Sequence, residues 1–311
     1  MGPAATISPP APSAPLDYSQ GPSAGPAPPG HPRRVKSAMR VSEIMTEEVV
    51  TLSSNSSLDE AMERLDLEDV RHLPVLADGR VVGIVSDRDV LEASGWLPKA
   101  LREALEAPAT FVVDFMRAPV VTIAVSDSVA AACRKMSDWG IGCLPVLDDS
   151  GLVGIVSETD VLNAFATACR TSTITVNSDP LVASLMSTEV VSTGPETPAE
   201  EAFEFCRSRG IRHLPLLEAG RLVGIVSDRD LRLMVGRGQL EGTPLRELAP
   251  RETRTIGSEA RASRAAQTMV THRIGALPVV DGDLLLGILT SADLITHCAA
   301  AFAKVGDAAK T

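Results

Sequence analysis

The heptapeptide Gly-Ile-Val-Ser-Asp-Arg-Asp stands at 83–89 and again, letter for letter, at 224–230. Two close variants, "GIVSETD" and "GILTSAD", occupy 154–160 and 287–293. A second signature lies shortly upstream of each copy: "VRHLPVL" (70–76), "IGCLPVL" (141–147), "IRHLPLL" (211–217) and "IGALPVV" (274–280). An opening segment precedes each in turn, "VVTL" (49–52), "VVTI" (120–123), "VVST" (190–193) and "TRTI" (253–256). A fourfold repeat constrains the fold more than any single residue does. Each copy is one supersecondary unit, and such units bury their apolar faces against one another.

The copies are related alternately. The first maps onto the third at a constant offset of 141, from Met45/Met186 through Asp89/Asp230. The second maps onto the fourth at a constant offset of 133, from Thr122/Thr255 through Asp160/Asp293. The unit that duplicated was therefore a pair of repeats.

Within a copy the pattern reads strand, helix, strand, strand, helix. Leu58, Ala61, Met62 and Leu65 follow the i, i+3, i+4, i+7 stripe of an amphipathic helix over 56–69. "LPVL", "ADG" and "RVVGIVS" read as a hairpin with Asp-Gly at its turn. Pro74 is expected at the front of its strand, where a missing N–H is tolerated. Ser-x-x-Asp at the following helix start is a near-match to a capping box. It also presents a hydroxyl and a carboxylate together, as a ligand grip would. One unit of roughly 50 residues leaves an apolar sheet face bare, so neighbours should pair to cover it. Two modules are expected, near 41–165 and 181–300, joined by the polar stretch "RTSTITVNSDP".

Residues 1–32 hold ten of the 22 prolines, and the tail to residue 38 is expected to be disordered. Net charge is −11, with +3 on residues 1–40 and −14 on the remainder. An acidic body repels phosphate backbones, which argues against general nucleic-acid binding. The five cysteines are scattered without a Cys-x-x-Cys or Cys/His cluster, so neither a disulfide framework nor a metal site is expected. There is no apolar run of the ~18 residues a membrane helix needs, and no signal-peptide core. A cytoplasmic location follows as the expectation.

Leu-Pro-Val, a hairpin, then Gly-Ile-Val-Ser/Thr-x-x-Asp resembles the cystathionine β-synthase (CBS) domain. The resemblance covers about 41–300, and its three elements recur in order four times. It implies an α/β (α+β) chain of four β-α-β-β-α CBS repeats in two Bateman modules. The first would hold repeats at about 41–95 and 112–168, the second at about 181–238 and 244–300. The layout is similar to that of the γ subunit of AMP-activated protein kinase.

The family resemblance implies clefts between paired repeats that bind AMP, ADP or ATP, with S-adenosylmethionine or cyclic di-AMP as further ligands. The motif Asp would hold the ribose hydroxyls, and the Ser/Thr three residues earlier would contact ribose or phosphate. These are Ser86 and Asp89, Ser157 and Asp160, Ser227 and Asp230, Thr290 and Asp293. Adenine would lie against Ile84, Ile155, Ile225 and Ile288. The chemistry is apt: a carboxylate can accept from two adjacent hydroxyls, each such bond contributing ~1.5–3 kcal/mol. A helix start offers free N–H groups to phosphate.

An acidic protein that binds an anion needs local cations. Arg71, His72, Arg212 and His213 precede the Leu-Pro of repeats one and three, where the γ-subunit relatives carry a phosphate-reaching His/Arg pair. Arg88 and Arg229 add charge inside the motif. Repeats two and four carry Gly142–Cys143 and Gly275–Ala276 instead, so the four sites should be unequal. A His that faces phosphate is expected to titrate near neutrality. Repeat four lacks the Met-Thr element seen at 45–46, which weakens its pocket wall.

No catalytic constellation appears: no Gly-x-Ser-x-Gly, phosphate loop, His-Glu-x-x-His or dinucleotide fingerprint. The chain reads as a non-enzyme with no catalytic cofactor. Two functions remain, a nucleotide sensor that signals to a protein partner and a structural interaction module with vestigial pockets. The four repeats could close into an intramolecular disc or pair between two chains as a homodimer.

Overall fold

The computed structural model describes residues 38–95, 102–103, 106, 108–172, 178–236, 242–250 and 252–307. The tail expected to be disordered lies, but for its last residue, outside these. The first repeat runs β1 (Leu52–Ser53), α1 (Leu58–Leu67), β2 (His72–Ala77), β3 (Arg80–Ser86), α2 (Asp87–Ala93). The second runs α3 (Val112–Phe115), β4 (Ile123–Ala124), α4 (Val129–Trp139), β5 (Cys143–Asp148), β6 (Gly151–Ser157), α5 (Glu158–Arg170). The third holds α6 (Ala199–Arg209), β7 (His213–Glu218), β8 (Arg221–Ser227) and α7 (Asp228–Gly236). The fourth holds β9 (Ile256–Gly257), α8 (Ala262–His272), β10 (Ala276–Asp281), β11 (Leu284–Thr290) and α9 (Ser291–Asp307).

The hairpin and the amphipathic helix form as their residues require. Asp78 and Gly79 both take positive φ (49° and 74°), the turn whose twist suits an antiparallel pair. Ser57 caps α1 by accepting from Glu60 N–H at 3.1 Å, and Leu58, Ala61 and Leu65 are buried beneath it.

The opening strands are shorter than the expected 49–52, 120–123 and 253–256 and begin only at the last residue of each span. Each pairs in parallel with the strand that carries Leu-Pro, starting opposite the residue after the proline. The partners are Leu52 with Val75, Ile123 with Val146 and Ile256 with Val279. In the third repeat only the bridge Thr193–Leu216 forms. Thr193 N–H donates to Pro215 O at 3.1 Å, but the next step back would need a donor from Pro215 itself. Proline has no N–H, so the ladder stops there. The strand bearing Pro74 already begins at His72; the missing donor ends the β1 ladder and leaves the β2–β3 pairing intact.

The turn that opens each repeat packs into its sister and not into its own repeat. Val41 N–H donates to Asp127 O at 2.8 Å, and Val112 N–H to Ser56 O at 2.8 Å. Val182 N–H donates to Ala260 O at 2.8 Å, and Leu245 N–H to Thr197 O at 3.1 Å. All four side chains are fully buried, Val112 beside Leu58 and Leu73, Leu245 beside Leu214 and Leu231.

The chain then crosses the sister hairpin at the glycine of its Gly-Ile motif. A methyl group on Gly83 would sit 2.5 Å from Met116 Sδ, and one on Gly154 2.7 Å from Met45 Sδ. On Gly287 it would meet the Ser187 carbonyl oxygen at 2.7 Å. Backbone bonds lock each crossing: Ile84 with Arg117, Ile155 with Thr46, Ile288 with Ser187. In the fourth opening segment Ala249 takes the methionine position against Gly224. An open cavity of about 290 Å³, lined by Leu216, Val223, Ala249 and Pro250 among others, lies there.

Two unlike contacts between the modules stand out. Repeats two and four share one apolar core in which α4 packs on α9, and α5 on α8 and α9. Ala132, Ala262, Ala266 and Ala301 let those helices approach, and Met136, Phe165, Met269 and Phe302 fill between them. Repeats one and three meet through α2 and α7 by reciprocal ion pairs, Arg88 with Asp228 and Arg229 with Asp87. Among the described residues no helix is long and apolar enough to cross a membrane.

The crossing predicts a sharp contrast between two glycines. Gly287→Ala should destabilise the chain by about 1–3 kcal/mol, since the added methyl meets a backbone oxygen that cannot move cheaply. Gly257→Ala, with nothing within 4 Å of the added carbon, should be nearly neutral in the same denaturant melts.

Candidate functional site

The four Ser/Thr-x-x-Asp motifs close β3, β6, β8 and β11 and open the helices that follow. In each, one carboxylate oxygen completes a capping box. Asp89 Oδ2 accepts from Ser86 N–H at 2.9 Å and from its hydroxyl at 2.5 Å. Asp160 Oδ2 does so from Ser157 at 2.8 and 2.7 Å. Asp230 Oδ2 accepts from Ser227 at 2.9 and 2.5 Å, and Asp293 Oδ2 from Thr290 at 2.8 and 2.6 Å. The hydroxyl oxygen in turn accepts weakly from the Asp N–H, at 3.2–3.4 Å.

Capping therefore engages one oxygen of each carboxylate and leaves Oδ1 with two lone pairs. In Asp160, Asp230 and Asp293 that oxygen has no hydrogen-bonding partner among the described residues, and the residues are half-buried. The first copy differs. Asp89 Oδ1 accepts from Arg117 Nε at 2.7 Å, and Asp89 is only 6% exposed. Arg117 arrives on the opening segment of the sister repeat, held by the two backbone bonds to Ile84. The same crossing sets Thr46 beside Ile155 and Ser187 beside Ile288. Sequence reasoning missed Arg117, Thr46 and Ser187 as neighbours of the motifs. The Met-Thr element was visible, but only the exchanged turns carry it to the sister repeat. Ile84, Ile155, Ile225 and Ile288 are all half-buried on their strands.

The Arg-His pairs lie between sister repeats. The His72 ring covers Gly142, where a methyl would sit 3.6 Å away, and the His213 ring covers Gly275 at 3.3 Å. At Gly275 the added carbon would be tight against the sister histidine, whereas at Gly142 it would make an ordinary contact. Burial lowers the His72 pKa and brings His213 down to about 4, with the neighbouring Arg71 and Arg212 adding to the effect. Burial disfavours the charged form of both rings.

The arginines divide into two groups. Arg88 and Arg229 are engaged across the modules with Asp228 and Asp87, and Asp228 also takes Arg232. Arg71 and Arg212 are exposed; Arg71 donates from Nη2 to the Arg273 carbonyl at 3.3 Å. Arg273 sits in a left-handed conformation (φ 53°) after α8 and pairs with Asp69, whose pKa it lowers. It is a further cation beside Arg71, in a turn that carries no motif. Burial pushes the Cys133 and Cys143 thiols up to about 12, so neither supplies a thiolate at neutral pH.

The depressed His213 pKa sets an acid limit on stability. The unfolded chain takes up a proton near pH 6.5 and the folded chain only near 4, so stability falls as pH drops through that window. The loss should approach about 3 kcal/mol at the acid end for this one residue. His213→Asn should flatten the pH dependence of urea melts between those limits.

The CBS domain model matches residues 41–95, 112–167, 182–236 and 245–300. Protein MJ1225 of Methanocaldococcus jannaschii is 25% identical over 288 residues, covering 84% of this chain and 99% of the relative. Its crystal structure, described as that of a proposed archaeal homologue of γ-AMPK, has a TM-score of 0.68 and covers 83% of this chain and 99% of its own. An uncharacterized conserved protein of Pyrococcus horikoshii shares the fold at 20% identity with a TM-score of 0.62, over 84% of this chain and all of its own. A CBS domain-containing protein of Dictyostelium discoideum is 34% identical over 128 residues, 40% of this chain and 88% of the relative. With four matches spread over most of its length, the chain belongs to the CBS domain family and carries the repeats as two tandem Bateman modules.

Proposed function

We propose that the chain is a regulatory protein that binds adenine nucleotides of the AMP, ADP or ATP type in clefts between sister repeats. The observation that carries this reading is the divided carboxylate. Asp160, Asp230 and Asp293 each use Oδ2 for the helix cap, and among the described residues nothing bonds their Oδ1. A capping role alone has no use for that second oxygen, whereas a ribose diol offers two donors to it. The likeness to MJ1225, over 84% of this chain and 99% of that one, supports the same reading.

Binding would bridge two repeats, because the carboxylate comes from one and the crossing segment beside it from the other. The ligand can then shift the packing of a module only as far as it prefers one arrangement over another. Repeats one and three are the responsive half, since ion pairs join them where an apolar core joins two and four. A protein partner would read that change.

Thermal melts with AMP, ADP, ATP, S-adenosylmethionine and cyclic di-AMP test the proposal. A ligand at 100 times its dissociation constant should add about 2.7 kcal/mol, a rise of several degrees. Asp160→Asn, Asp230→Asn and Asp293→Asn keep a capping acceptor but lose the charge, and each should weaken its own site about tenfold or more. If no adenosine compound moves the melting curve, the chain is an interaction scaffold.

A further inference from the structure

The four motifs share the same local cap but not the same surroundings. Among the described residues, Asp89 is the one of the four carboxylates whose outer oxygen a side chain engages, Arg117 Nε at 2.7 Å. The positions equivalent to Arg117 in the other opening segments hold Thr46, Ser187 and Pro250, none of them a cation. The difference is also visible in burial: Asp89 is 6% exposed, while its three counterparts are half-buried.

We infer that Arg117 is a tethered competitor for the first site, occupying the carboxylate oxygen that a ribose diol would use and making that site the weakest of the four. The inference rests on the nucleotide-binding reading above and specifies how one site departs from it. The two hydroxyls of a ribose diol would take both lone pairs of Oδ1, and the guanidinium N–H already occupies one of them, so diol and guanidinium compete for that oxygen. The guanidinium carries charge and its backbone is fixed by two bonds to Ile84, so it meets Asp89 with little loss of chain freedom. Arg117 is nonetheless 62% exposed on its side chain, so solvent screens the pair and a ligand can displace it. The competition is therefore graded: it raises the ligand concentration needed at the first site instead of abolishing it.

Among the described residues the other nearby cations are turned elsewhere. Arg88, on the same helix turn, is drawn to Asp228 of the third repeat, and Arg71 reaches the Arg273 carbonyl. Replacing Arg117 by the threonine found in the first opening segment preserves the crossing, which uses backbone atoms, and frees Asp89 Oδ1.

AMP titration of the full chain by calorimetry tests this. The combination Asp160→Asn, Asp230→Asn, Asp293→Asn leaves the first site as the acid-bearing one. Adding Arg117→Thr to it should tighten AMP binding about tenfold, and adding Asp89→Asn as well should remove the gain. Arg117→Thr alone, in the otherwise unchanged chain, should raise the affinity of one site and leave the others as they were. Unchanged affinity in both backgrounds overturns the inference while leaving the nucleotide reading intact. Weaker binding in Arg117→Thr also overturns it, by making Arg117 a ligand contact. AMP binding absent from the unchanged chain and from Arg117→Thr alike overturns the nucleotide reading, and the competitor with it.

Discussion

The structure depends on the exchange of opening turns between sister repeats. A single β-α-β-β-α unit is small and carries a core with a missing piece. Val112 completes the first repeat and Leu245 the third, while Val41 and Val182 complete the second and fourth from outside. Each fully buried aliphatic contributes ~1.5–3 kcal/mol of transfer free energy, a large share of the margin for a unit of this size. The exchange also brings the crossing segment against the Gly-Ile motif, which is where the carboxylates lie. Folding of a module and construction of its clefts are thus one event.

The contact between modules follows a different logic. Helices α4, α5, α8 and α9 fuse repeats two and four through alanine-lined apolar faces, a contact that resembles a domain interior. Helices α2 and α7 are held by charges at their first turns, next to Asp89 and Asp230. Partly exposed ion pairs contribute modestly and weaken with salt. One edge of the assembly is therefore firm and the other compliant, and the compliant edge carries the Arg-His repeats.

Much of this was legible from the residues. The fourfold signature, the Asp-Gly turn and the stripe of Leu58, Ala61 and Leu65 led to the right elements, because each is a local rule obeyed locally. The capping box was legible for the same reason. What was not legible depended on partners far along the chain. The opening strands begin later than the segment at 49–52 and its counterparts suggest, because the effect of Pro74 and Pro215 appears only once the parallel neighbour is known. The pairing of Arg117 with Asp89 spans two repeats. Gly142 and Gly275 are missing cations by sequence, and only the paired repeats bring His72 and His213 over them. Arg273 sits in a turn without a motif, and nothing in its spacing pointed to Arg71.

The exchanged turns carry an arithmetic consequence. A repeat that lends its first turn and borrows its sister's cannot be added or deleted singly without orphaning a buried valine or leucine and opening a hole of the same size. Arrays of this kind should therefore grow and shrink by twos, with breakpoints confined to stretches such as 171–180, where one couple hands over to the next. The alternating offsets of 141 and 133 are the genealogical trace of that parity.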